Sequence, residues 1–118
     1  MQVSKKKVNS LLDKQINSMW YQLIADIETP QEAEMIVSCI LSETELVAVT
    51  KRLAVGYWLL KKRSYENIKQ NLKVSSATIA AVGADLEKSG WKAAMKKITA
   101  EEWATKMEEK IKSIFKKS

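Results

Sequence analysis

The chain has 118 residues and a net charge of +6; 46% of its residues are hydrophobic, 3 are Gly and 1 is Pro. Such a chain is long and apolar enough for one domain with a core, but it has too few turn residues for a sheet protein, so we expect an all-α fold. Because histidine is absent and Cys39 is the single cysteine, the usual zinc sites, the Ser-His-Asp and Cys-His catalytic units and an internal disulfide are excluded.

The first predicted element is a long helix over about residues 4–27. Its apolar residues recur at steps of three or four residues, which is typical of a helix that packs along one side: Val8, Leu12, Ile16, Met19, Leu23 and Ile27. The helix would span roughly 35 Å, about the width of a small domain, so a monomer would leave much of this stripe in water. We therefore predict a homodimer, with an arm folded back over the domain's own core as the alternative.

Capping signals place the next two helices. The segment Thr29–Glu32 is a capping box with proline at the first helical position, and it opens a helix that runs to about Leu41. Ser42 with Glu45 repeats the box and opens a third helix that runs through Lys62.

The sequence predicts how two positions in these helices are packed. Cys39 lies in the apolar run 36–41, which predicts a buried structural thiol rather than a nucleophile. Gly56 interrupts the third helix and predicts close packing there. The expected centre of the core consists of apolar residues of that helix: Leu46, Val49, Leu53, Leu59 and Leu60.

Residues 64–88 form the pattern of two short helices broken by a three-residue turn, the layout with which a chain places its second helix, the reading helix, in a DNA groove. Ser64 and Ser75 are the predicted N-caps. The apolar spacing predicts that Ile79 and Val82 face the core. We expect the base-facing residues on the outward side to be Ser76, Ala77, Thr78, Ala80 and Ala81.

Positive charge is concentrated in the same part of the chain. Residues 61–97 hold nine Lys and Arg against three Asp and Glu, whereas the segments on either side are nearly neutral. A solvated face is the ordinary explanation of a charge run, but its coincidence with the two-helix unit favours a surface for a polyanion. The predicted phosphate contacts are Lys61, Lys62, Arg63, Lys69, Lys73 and Ser75, the last through the helix amino terminus.

The end of the chain is predicted to be a further helix. Gly90 suits a left-handed C-cap, a short basic piece follows, and Thr99 with Glu102 forms a third capping box that opens a helix over about 99–116. Its apolar residues recur on one side: Trp103, Met107, Ile111, Ile114 and Phe115. Without a repeat, a linker, a signal-peptide pattern or an apolar run of about 18 residues, we expect a single all-helical domain over 1–118, in the cytoplasm and without a membrane partner.

An ordered set of residues between about Tyr21 and Gly90 has the spacing of a known family. It comprises Arg52, Leu53, Val55, Leu59, Leu60, Tyr65, Ile68, Ser75, Ala77, Thr78, Ile79, Val82, Leu86 and Gly90. In this set the chain resembles the Trp-repressor-like family, particularly its Trp-repressor-related branch. The resemblance implies an intertwined homodimer of about six helices per chain, whose amino-terminal helices interlock and whose two reading helices dock in successive major grooves.

The chain departs from the tryptophan-responsive repressor at the corepressor pocket. That pocket uses one arginine of the third helix, which Arg52 matches, and one of the reading helix, where this chain has Ala81. Val82 replaces the small glycine beside it. The missing charge-assisted hydrogen bond removes roughly 1.5–3 kcal/mol, so we expect no switching by tryptophan.

The sequence therefore predicts a transcriptional regulator that binds double-stranded DNA with some sequence preference, is not an enzyme, and uses no metal or cofactor. The outward face lacks the Arg, Asn and Gln that usually read base edges, so hydrogen-bond readout should be sparse. The same feature favours an alternative, a helix-turn-helix scaffold for protein association that no longer reads DNA. A third possibility is single-stranded nucleic-acid binding, in which bases stack on an aromatic ring among lysines: Trp91 with Lys88, Lys92, Lys96 and Lys97.

Overall fold

The structure is a computed structural model that describes residues 3–116. Over this range the chain forms six α-helices and no strand, which confirms the all-α fold with a helix-turn-helix. They are α1 (Ser10–Asp26), α2 (Pro30–Ile40), α3 (Glu43–Leu60), α4 (Tyr65–Leu72), α5 (Ser76–Asp85) and α6 (Ser89–Lys116). None of these described helices combines the length and the apolarity that crossing a bilayer requires.

The chain divides into two compact units, one ending at Val47 and the other beginning at Ala48. In the first unit, α1 begins at Ser10, later than the start near residue 4 that the stripe predicts. Asn9 accounts for the difference, because its side chain accepts a hydrogen bond from the N–H of Leu11 at 2.9 Å and so caps the helix there.

The next two helices begin where their capping boxes predict. The hydroxyl of Thr29 accepts a hydrogen bond from the N–H of Glu32 at 3.1 Å. The box at the start of α3 is complete, since the Ser42 hydroxyl accepts from the N–H of Glu45 at 3.2 Å and the Glu45 carboxylate accepts from the N–H of Ser42 at 2.8 Å. These bonds satisfy N–H groups that a helix start leaves without partners.

The prediction that Cys39 is buried is wrong, because its side chain is exposed. The half-buried residues of α2 are Ile36 and Val37. Cys39 lies about 200° around the helix from Val37 and about 60° from Ile36, so it is at the edge of the packed side rather than at its centre.

The core of the second unit joins α3 to the helix-turn-helix. Val55 of α3, Ile68 of α4, and Ile79 and Val82 of α5 form one buried cluster. Partly buried side chains surround it: Trp58, Leu59, Leu72, Val74, Leu86 and Trp91. Each fully buried aliphatic side chain contributes about 1.5–3 kcal/mol relative to exposure, so this cluster fixes the orientation of α5 against α3.

The core does not have the centre that the sequence predicts. Val49, Leu53 and Leu60 are exposed, and Leu59 is only half-buried. The contact with α4 and α5 is made by a different side of α3, at Val55, and the apolar residues that line the other side stay in solvent.

Gly56 lies against α6, which confirms the predicted close packing. A Cβ atom at this position would collide with the ring of Trp91, with Cη2 at 3.0 Å and Cε3 at 3.1 Å. Only a residue without a side chain lets the indole approach the backbone of α3 this closely.

The break predicted between Gly90 and Thr99 is wrong, because α6 runs without interruption from Ser89 to Lys116. Gly90 has no positive φ and is the second residue of the helix. Thr99 lies inside the helix and donates its hydroxyl to the carbonyl of Met95, a buried residue. The side chain of Phe115, expected on the apolar side, lies outside the part of the chain whose side chains the structure describes.

Candidate nucleic-acid interface

The two helices of the candidate interface are held by hydroxyl caps and a left-handed turn. Ser64 accepts a hydrogen bond from the N–H of Asn67 at 3.1 Å, and Ser75 accepts one from the N–H of Thr78 at 3.1 Å. Between α4 and α5, Lys73 adopts a left-handed backbone with φ of 55°. The turn is three residues long, as the sequence predicts.

The structure turns the small residues of α5 outward. Ser76, Ala77, Ala80 and Ala81 are exposed, whereas the inward side carries the buried core residues Ile79 and Val82. The exposed set is called the alanine face from here on. A flat surface of methyl groups and one hydroxyl lets a helix approach a partner surface closely.

Thr78 differs from the other residues predicted to face the bases. It is half-buried, and its hydroxyl lies 3.0 Å from the hydroxyl of Ser75. Thr78 is therefore part of the cap of α5, a role the sequence does not distinguish from an outward one.

All six residues predicted to contact phosphate are exposed, with Lys62, Lys69 and Lys73 among them. Lys62 and Lys73 both have a positive φ, at 64° and 55°, so they occupy the ends of α3 and α4 in the left-handed conformation. These three ammonium groups lie on or next to the helix-turn-helix in the sequence and are accessible to a polyanion.

Lys61 and Arg63 are instead engaged within the protein. The Lys61 ammonium lies 3.1 Å from the carboxylate of Glu102 on α6 and 5.4 Å from the centre of the Tyr57 ring. The Arg63 guanidinium stacks 4.2 Å from the centre of the Trp58 ring. A phosphate would have to compete with these contacts.

The ion pair between Lys61, which directly follows α3, and Glu102 of α6 shifts the pKa of both groups. The hydrogen bond with Glu102 raises the pKa of Lys61 above its ordinary value. The hydrogen bonds from Lys61 and then Tyr57 lower the pKa of Glu102 below its ordinary value. Each charged form is favoured by the other, and Lys106 adds a second ammonium 3.4 Å from the same carboxylate.

Glu102→Gln is expected to lower stability at neutral pH and to leave it little changed in acid. A carboxyl whose pKa is depressed in the folded state contributes stability above its unfolded pKa and loses it as the pH falls through the folded value. Urea unfolding at a series of pH values should show the two proteins converging as the pH falls below the ordinary glutamate pKa of about 4.3. Glu101→Gln is the matched control, and a constant difference down to pH 2 would contradict the role of Glu102.

Sequence reasoning missed Lys51. Its ammonium donates a hydrogen bond to the main-chain carbonyl of Lys73 at 3.2 Å. No local signal identifies it, because Lys51 lies outside the basic segment 61–97 and its partner is a backbone atom 22 residues away.

Arg52 lies at an open cavity of about 610 Å³ between α3 and the start of α6. The cavity is largely apolar and its lining includes Leu53, Trp91 and Lys88; Lys88 pairs with Asp85 at 3.0 Å. Its lining residues come from α3, α6 and Lys88, just before α6, and include none from α5.

Within residues 3–116, no group of three or more Cys, Asp and Glu side chains is arranged to hold a metal ion. The comparison with protein families found a match over residues 14–100 to the model described as Trp repressor protein. The comparisons with curated proteins and with solved structures each found no match.

Proposed function

Because the chain belongs to the Trp repressor family, a family of DNA-binding regulators, we propose that it binds double-stranded DNA with sequence preference and regulates transcription. The observation that carries this proposal is the exposed alanine face on α5, flanked by the exposed ammonium groups of Lys69 and Lys73. A helix-turn-helix places such a face in the major groove.

The residues of the interface divide between bases and backbone. The hydroxyl of Ser76 can hydrogen-bond a base edge, and the methyl groups of Ala77, Ala80 and Ala81 suit the methyl of thymine. Direct readout is therefore sparse, and sequence preference comes largely from bridging water and DNA shape.

Contacts with the DNA phosphates supply most of the proposed affinity for the duplex. Lys62, Lys69 and Lys73 supply charge, and the amino terminus of α5 at Ser75 offers N–H groups. Lys61 contributes less, because its ammonium already faces Glu102; the stacked Arg63 likewise contributes less.

A homodimer completes the proposal. The apolar side of α1 is exposed in the single chain: Leu12 is 48%, Ile16 44% and Met19 69% exposed. Apolar side chains in such a row are stabilised when a second copy covers them. Two copies would present two α5 helices to one duplex, which is how dimeric helix-turn-helix proteins read paired half-sites.

Titration of a random duplex at increasing salt tests the proposal. If about four to six phosphates are contacted, the logarithm of affinity should fall against the logarithm of salt with a slope near −4 to −5. The protein without DNA should have twice the mass of one chain in sedimentation. Absence of binding at low salt, or a flat salt dependence, would contradict DNA binding, and a monomer mass would contradict the dimer.

We also propose that tryptophan does not control this protein. Arg52 lies at the cavity, but α5 brings no second cation to it, since Ala81 is exposed and Val82 is buried in the core. Calorimetric titration with tryptophan should show no binding at micromolar concentration, and the affinity for duplex should be the same with and without the amino acid. Micromolar binding would contradict the proposal.

One observation favours protein association as a second candidate function. On α6, Trp103 and Ile114 are 65% and 63% exposed, and Met107 and Ile111 lie on the same side of the helix and are also exposed. Acrylamide quenching of tryptophan fluorescence in the assembled protein tests this candidate. Strong quenching supports a protein partner for the exposed Trp103, whereas weak quenching would mean that the tryptophans are covered and would contradict it.

A further inference from the structure

Lys51 links α3 to the turn of the helix-turn-helix. Its ammonium donates to the main-chain carbonyl of Lys73, the residue that ends α4 in the left-handed conformation. The last carbonyls of a helix have no partner within the helix, so the ammonium satisfies an acceptor that the end of α4 leaves free. Lys51 itself is half-buried, which restricts its long side chain.

Apolar packing does not fill the space around this bond. An open cavity of about 280 Å³ lies between α3 and the turn, and its lining includes Ala48 and Lys51 on one side and Lys73 and Ser75 on the other. One helical turn further along α3, Val55 is fully buried in the core, so close packing resumes there. Val74, the middle residue of the turn, packs against the core. The hydrogen bond is therefore a second contact that holds the turn against α3, on the side of the cavity.

The position of the turn determines where α5 begins. Ser75, two residues after Lys73, caps α5, and the alanine face begins with Ser76 and Ala77. A displacement of the Lys73 carbonyl is passed along two residues to the part of α5 that enters the groove. Helix docking in a groove tolerates only small errors in position.

We infer that Lys51 is a positioning residue for DNA binding: it holds the turn at Lys73, and through the turn it orients the amino end of α5. This inference rests on the proposed function. A positioning residue differs from a phosphate-binding residue in one measurable way. Its removal weakens binding but does not change the number of counterions that DNA binding releases.

The test compares Lys51→Met with Lys69→Met in the full chain. Lys51→Met keeps the aliphatic length and removes the donor; we expect about fivefold weaker binding of duplex, the size of one modest hydrogen bond, with an unchanged salt slope. Lys69→Met should make the slope shallower by about 0.9 for each phosphate that the protein no longer neutralises. Lys51→Arg, which keeps a donor, should restore most of the affinity.

A second measurement needs no DNA. Amide hydrogen exchange of Val74–Ala77 should be faster in Lys51→Met than in the unaltered chain, while exchange in the core of α3 stays the same. Unchanged affinity with unchanged exchange would overturn the inference, and so would a slope that falls as it does for Lys69→Met. If the unaltered chain binds no duplex, the proposed function fails, and exchange alone decides whether Lys51 holds the turn.

Discussion

Ala77→Glu is expected to weaken duplex binding by more than about a hundredfold. Ala77 is exposed in the first turn of α5, on the face proposed to enter the major groove. A carboxylate there would meet the field of the phosphates and lose its hydration without gaining a partner. The protein should stay folded, because an acidic residue near the start of a helix is favourable.

The measurement is a fluorescence-anisotropy titration with a labelled duplex at fixed salt. Ala93→Glu, the same change of charge at an exposed alanine of α6, is the matched control and should cost only a small, salt-dependent factor. Binding by Ala77→Glu within about threefold of the unaltered chain would show that the alanine face does not enter the groove.

Ile79→Ala should destabilise the protein by about 2–5 kcal/mol. Ile79 is fully buried, and truncation of a buried aliphatic side chain removes its transfer free energy and leaves a cavity. Ile79→Val removes one methylene and should cost about 0.5–1.5 kcal/mol. Urea unfolding followed by far-ultraviolet circular dichroism gives both values.

This prediction also tests the register of α5. Ile79 points inward only if Ala77, Ala80 and Ala81 point outward, because the helical period fixes their relative directions. A destabilisation of less than about 1 kcal/mol for Ile79→Ala would mean that α5 is rotated from this register, and the alanine face would then lose its proposed role.

Structural features that depend on residues close together in the sequence were predictable. The caps at Thr29, Ser42, Ser64 and Ser75 each depend on residues at most three positions apart, and the structure contains all four hydrogen bonds. The burial of Ile79 and Val82 followed from helical spacing within ten residues. The alanine face could be identified for the same reason.

Features that depend on distant partners were not predictable. Thr99 and Glu102 have the spacing of a capping box, but inside α6 the Glu102 carboxylate pairs with Lys61, 41 residues earlier. The same pair engages the exposed ammonium of Lys61, so a phosphate would have to compete with Glu102 for it. The hydrogen bond between Lys51 and Lys73 could not be predicted because its acceptor is a backbone carbonyl, which every residue has.

The contact between Gly56 and Trp91 constrains how this protein can diverge. Any side chain at position 56 must displace the indole, so the two sites cannot change independently. Descendants that acquire alanine or larger at 56 are expected to carry a smaller residue at 91 as well, which makes this pair a covariation signature that a collection of orthologues would reveal.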